Sequence, residues 1–141
     1  MNYDYIHGIC YWVGNERYFL IEKIIDKLKN TIHHKKELKI LCVISIRSDS
    51  KIANEKKQKF EEILNKQDQN ISIKIIYNFN WGGTVGTLWD IYNYLESEKI
   101  SSYIIGIWED DVIFKHNYWL DKVEKLLLEG YIYVGSLHET H

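Results

Sequence analysis

The chain has 141 residues, of which 45% are hydrophobic and 27% charged; this fits one globular domain and excludes a wholly disordered or collagen-like chain. A formal charge of −2 gives no global attraction to nucleic acid or to an anionic membrane, so nucleic acid is not an expected partner. Two cysteines, Cys10 and Cys42, are too few for a disulfide scaffold or a cysteine-built zinc site and read as buried thiols. No window reaches the roughly 18 apolar residues of a spanning helix. The opening MNYDYIHGICYWVGNERYF also lacks the basic and long apolar stretches of a secretory signal, so the expected location is cytoplasmic, without a membrane span.

From the N-terminus, Tyr5 to Trp12 is a short apolar run closed by the turn-like Val13-Gly14-Asn15. Residues 15 to 30 carry Phe19, Leu20, Ile24, Ile25 and Leu28 at helical spacing, and residues 38 to 46 are a continuous apolar run, as in a parallel strand covered on both faces. Arg47-Ser48-Asp49-Ser50 closes that strand. A helix pattern over 53 to 66, with Ala53, Phe60, Ile63 and Leu64 as its stripe, leads to a strand over 71 to 77. Asn78-Phe79-Asn80-Trp81-Gly82-Gly83 reads as a loop, and Thr84 as the cap of a helix to about 96 whose stripe is Val85, Leu88, Ile91 and Leu95. A strand at 103 to 108 ends in Glu109-Asp110-Asp111. The helix over 117 to 129, with Asn117 as cap, stops at Gly130, and a last strand covers 131 to 137.

Strict alternation of strand and helix predicts an α/β domain, a mostly parallel sheet with helices on both faces. Ligands in such folds gather beyond the carboxyl ends of the strands, where the four polar loops would meet. Three adjacent carboxylates repel one another unless a cation or hydrogen-bond donors compensate them. A hard divalent ion, Mg²⁺ or Mn²⁺, does so with oxygen ligands and can share a diphosphate. A solvated acidic turn is the plainer alternative. The loop with Asn80, Gly82 and Gly83 could wrap a phosphate or sugar with free amides, or be a structural turn, and Trp81 could stack on a base or cover the core. It is neither a Walker loop nor a dinucleotide fingerprint.

The segment YIIGIWEDDVIFKHNYWLDKV resembles the metal-binding segment of GT-A glycosyltransferases, with Glu-Asp-Asp as a version of the Asp-x-Asp motif. The preceding YNFNWGGTVGTLWDIYNYL is similar to the asparagine-glycine loop and helix of family 2-like members. The resemblance implies a GT-A-like fold and a metal-dependent transfer of sugar from a nucleotide-diphosphate donor to a hydroxyl acceptor, with inversion. It implies that Asp111 is the Mn²⁺ or Mg²⁺ ligand, that Asp110 lies near ribose or donor sugar, and that Glu109 supports the metal. Tyr11, Trp12 and Gly14 match the first-strand end that receives the nucleotide, and Ser48 and Asp49 match the second-strand loop near base or ribose.

The family continues with an acceptor-binding half and a catalytic base, whereas here the sequence ends soon after the fifth strand. The expectation is therefore one nucleotide-sugar-binding domain, residues 1 to 141, with the acceptor part short or absent and the base unassigned. The alternative is a non-catalytic or partial nucleotide-sugar-binding domain. Phosphotransfer and phosphohydrolase domains place their acids after the first strand, where this chain has Trp-Val-Gly-Asn. His138, Glu139 and His141 read as a frayed tail with potential ligands, and His33 and His34 as solvent-facing. Tyr118 and Trp119 could leave an apolar patch for self-association.

Overall fold

The structure, a computed structural model, describes residues 1–35, 37–80 and 82–131. Strands β1 (Asn2–Trp12), β2 (Ile40–Arg47), β3 (Ile71–Asn78) and β4 (Ser101–Glu109) form one all-parallel sheet in the order β3-β2-β1-β4. Helices α1 (Tyr18–Lys29), α2 (Asn54–Glu62) and α3 (Gly83–Ser97) connect them, and α4 (Trp119–Leu128) follows β4. The predicted α/β alternation holds over these eight elements. The predicted strand over 131 to 137 lies outside the described residues beyond Tyr131.

Alternation along β1 builds two cores. Tyr5, Ile9 and Tyr11 face a large cluster with α1, Phe60 of α2, and Trp119 and Leu120 of α4. Ile6 and Cys10 face a smaller one with Ile91 of α3. Helices thus cover both faces, three on one and α3 on the other. At Gly8 on the α3 side an added Cβ would lie 2.8 Å from Ile107 and 3.1 Å from Ile91, so this glycine lets α3 close on the sheet.

Helix α1 buries Ile21, Ile24, Ile25 and Leu28, spacing i, i+3, i+4, i+7, each contributing about 1.5–3 kcal/mol of burial. Phe19, expected on this stripe, is exposed, with the Lys23 ammonium 5.8 Å from its ring. Ala53 is likewise outside α2, as its extended N-cap residue, and the last predicted turn is a 3-10 turn, Ile63–Lys66. In α3 the expected stripe is broken: Ile91 is buried, while Val85 and Leu88 are exposed beside Trp89 and Tyr92. Gly82, not Thr84, is the N-cap of α3, and Tyr118, not Asn117, precedes α4. The Asn117 carbonyl instead accepts the Ile32 N–H at 2.8 Å, tying this segment to the loop after α1. Gly130 stops α4 as expected, at φ +102°.

Candidate functional site at the carboxyl edge

Register pairs Trp12 with Arg47, Arg47 with Asn78, and Cys10 with Glu109, so all four strands end at one edge. Asn80 and Asp111, on loops leaving this edge, are therefore at the same end of the sheet. After β3 the chain crosses by α3 to the far side of β1, so the connections diverge at the β1/β4 boundary, the position at which parallel sheets open a crevice. A cavity of about 260 Å³ lies there, lined by Cys10, Tyr11, Trp12, Arg47, Thr84 and Glu109, with Gly83 and Thr87 of α3.

The Trp12 ring is half exposed and lies over Gly14, where an added Cβ would come within 2.5 Å of the indole. Glu16 then takes a left-handed φ of +52°, and the Arg17 N–H donates to the Tyr11 hydroxyl at 2.8 Å. On the next strand Ser48 is buried and its hydroxyl accepts the Ser50 N–H, while Asp49 is exposed at the turn.

Arg47 organises the glycine loop. Its Nε and Nη2 donate to the two oxygens of Asp90 at 2.8 and 2.9 Å, and its Nη1 donates to the Asn80 carbonyl at 3.0 Å. The Asn80 N–H donates to the Asn78 side chain, closing a local turn. Gly82 has an extended φ of −167°, open to any residue, but a Cβ there would sit 2.6 Å from Arg47 Nη1. A Cβ on Gly86 would lie 2.8 Å from the guanidinium carbon. Gly83 has φ +56°, the left-handed region that favours glycine. Two glycines are thus explained by the Arg47 guanidinium and one by its backbone, while Trp81 lies outside the described residues.

The three acids divide. Glu109 accepts the Thr84 hydroxyl at 2.9 Å and faces the cavity. Asp110 is 3% exposed and Asp111 is largely open, and Arg17 Nη1 lies 3.7 Å from the first and 3.2 Å from the second. Arg17, absent from the sequence reading of the site, thus supplies charge compensation from 94 residues away. The chain has only two arginines, Arg17 and Arg47, and both serve this edge.

Two other expectations change. His33 is not solvent-facing: its side chain is 3% exposed, and with His34 it meets Asp121 and Glu124 of α4. Trp119 is buried, stacked on Phe114 at 3.8 Å, so the exposed aromatic patch is on α3 rather than at Tyr118 and Trp119 together. His138, Glu139 and His141 lie outside the described residues. Both cysteines are buried free thiols, as expected. Among the described residues no helix is long and apolar enough to cross a membrane. No protein-family model matches the chain, and no curated protein or solved structure matches it.

Proposed function

We propose that the carboxyl edge binds a nucleotide-diphospho-sugar together with Mn²⁺ or Mg²⁺, and that the chain is the donor-binding domain of a GT-A-like glycosyltransferase acting on a hydroxyl acceptor. The observation that carries this reading is the meeting of Asp110, Asp111 and Arg17 at the end of β4, next to the cavity at the end of β1. A carboxylate gives hard oxygen ligands suited to either ion, with the remaining coordination left to diphosphate and water. Asp111 is the principal ligand, its side chain 54% exposed, and the adjoining Asp110 faces ribose or donor sugar.

Such an ion supplies neutralisation of the charge that develops on a departing diphosphate. The residues of the chain do the rest. Arg17, 41% exposed on its side chain, can turn from the carboxylates to a phosphate and hold it by two parallel hydrogen bonds. Trp12 offers an apolar face to a base or sugar ring. Thr84 holds Glu109 at the cavity wall, and the Arg47–Asp90 pair fixes the glycine loop above it. Inversion follows from the resemblance, with the base unassigned.

Titration calorimetry with UDP, GDP and TDP, with and without Mn²⁺, tests this. One of the three should bind more tightly with Mn²⁺, and Asp111→Asn, nearly isosteric, should abolish that enhancement in a folded protein. An enhancement of wild-type size in Asp111→Asn rules out the assigned role.

A second reading, donor binding without transfer, is favoured by the Arg17 contacts, because acids already compensated by a guanidinium need no metal to be stable. It predicts metal-independent nucleotide-diphosphate binding and no donor hydrolysis or transfer.

A further inference from the structure

A second cluster lies away from the carboxyl edge. His33 and His34 follow α1, in the loop that returns the chain to the start of β2, and Asp121 and Glu124 stand three residues apart on one face of α4. His33 Nε2 is 3.2 Å from Glu124 Oε2 and 3.4 Å from Asp121 Oδ1. His34 Nδ1 is 3.1 Å from Asp121 Oδ1 and 3.4 Å from Glu124 Oε1. The two imidazoles are 4.0 Å apart between centroids. Among the described residues, His33, His34 and Glu124 are the one set of three such side chains whose potential ligand atoms all lie within 4.8 Å of one another.

We propose that His33, His34 and Glu124, with Asp121 turning in as the fourth ligand, form a structural binding site for a transition-metal dication of the Zn²⁺ class, clasping α4 to the loop after α1. Donors around a tetrahedral ion with bonds near 2.0–2.1 Å are about 3.3 Å apart; His33 Nε2 is 3.2 Å from Glu124 Oε2, near that spacing, and one ligand atom each from His33, His34 and Glu124 lie within 4.8 Å of one another, while Asp121 Oδ1 is 3.4 and 3.1 Å from the two imidazole nitrogens. Imidazole selects Zn²⁺, Co²⁺ or Ni²⁺ over Mg²⁺, so this site and the acids of the carboxyl edge sort ions by chemistry. Two neutral imidazoles and two carboxylates also balance the charge of a dication. Side-chain exposure runs from 3% at His33 and 11% at Glu124 to 56% at His34, giving a closed floor and one open side for entry.

Four protein ligands leave no position for substrate, which makes the site structural. Coordination through His33 Nε2 puts the ring proton on Nδ1, where the Lys35 N–H now donates at 3.3 Å. Binding therefore displaces that long contact on an exposed loop.

The test is titration of the full chain with Co²⁺, followed by its visible ligand-field bands, then displacement by Zn²⁺. A single saturable site with four-coordinate bands is expected, together with a rise in the thermal midpoint with Zn²⁺. His34→Ala, at the exposed ligand, and Glu124→Gln should each weaken binding by at least about 10- to 100-fold. The double variant His138→Ala/His141→Ala and Asp111→Asn should leave it unchanged. No saturable binding overturns the proposal, as does wild-type affinity in both His34→Ala and Glu124→Gln, or loss of the site in the tail double variant.

Discussion

Arg47 and Asp90 join the end of β2 to α3 through two parallel hydrogen bonds of 2.8 and 2.9 Å, with both side chains nearly buried. The remaining guanidinium donor reaches the Asn80 carbonyl, so one arginine sets the position of the glycine loop and of the helix that begins after it. Gly82 and Gly86 leave the space it fills.

Removing one partner of this pair strands the other. Asp90→Ala should cost about 3–5 kcal/mol in urea unfolding, because the Arg47 charge is left largely buried without its partner. Gly86→Ala should cost about 1–3 kcal/mol by driving a methyl into the guanidinium. Its cost should fall close to zero in an Arg47→Ala/Asp90→Ala background, where the obstruction is gone. Equal cost in both backgrounds would mean that Gly86 serves something other than Arg47.

Arg17 competes with any cation at Asp110 and Asp111. Arg17→Met should therefore raise Mn²⁺ affinity at the carboxyl edge by about two- to fivefold, the range for a partly exposed ion pair. The same variant should weaken nucleotide-diphosphate binding without metal, since the phosphate partner is lost. Calorimetry in a His34→Ala background keeps Mn²⁺ off the α4 cluster. Unchanged affinities for both ligands would reduce Arg17 to a surface ion pair.

The alternation of apolar runs with helical spacing made the sheet legible, because β2, buried on both faces, reads as the continuous run LKILCVISI. Placement of Asn80 and Asp111 at one edge then followed from parallel strands alone. Helix faces were less legible: Val85 and Leu88, three apart, satisfy the helical pattern yet stay exposed, since spacing does not tell how much of a helix its neighbours cover, whereas Phe19 is followed at i+3 and i+4 by Glu22 and Lys23 and lies off the buried stripe. The two arginines carry no sequence motif that ties them to the edge; only the contacts of Arg17 with Asp110 and Asp111 and of Arg47 with Asp90 do so. His33 and His34 sit in a lysine-rich loop, and their partners are about 90 residues away, so only the docking of α4 reveals the cluster.

The two thiols report separately on the cavity and the core. Cys10 borders the cavity and Cys42 is fully buried on the opposite face, with burial pushing its thiol up to about 12. Burial also raises Cys10. A disulfide-exchange reagent should label Cys10 slowly in the native protein and Cys42 only on unfolding. A nucleotide diphosphate in the cavity should slow the first reaction without changing the second. Labelling of Cys42 at the rate of Cys10 would show that the β1/β2 core opens locally.

His7 should make stability fall in mild acid. It is wholly buried in β1, its Nδ1 is hydrogen-bonded to the Tyr5 hydroxyl at 2.8 Å, and Trp108 donates to that same hydroxyl at 2.9 Å. Its Nε2 has no hydrogen-bond partner among the described residues. Burial pushes the imidazole down to about 3, so the folded protein keeps it neutral, whereas the unfolded chain takes up a proton near 6.5. The unfolded state thus binds more protons between those values, and stability is full above 6.5 and is lost as pH falls toward 3. Between pH 7.5 and 5 the loss from this group alone is about 2 kcal/mol. His7→Leu removes the titration and leaves the Tyr5 hydroxyl without its imidazole partner, a cost that does not vary with pH. The variant should therefore start less stable and lose about 2 kcal/mol less than wild type across that range, read from urea midpoints at each pH. Contributions from the other histidines and the carboxylates are common to both proteins and cancel in the difference. Parallel curves for the two proteins would mean that His7 is protonated or hydrated in the folded state.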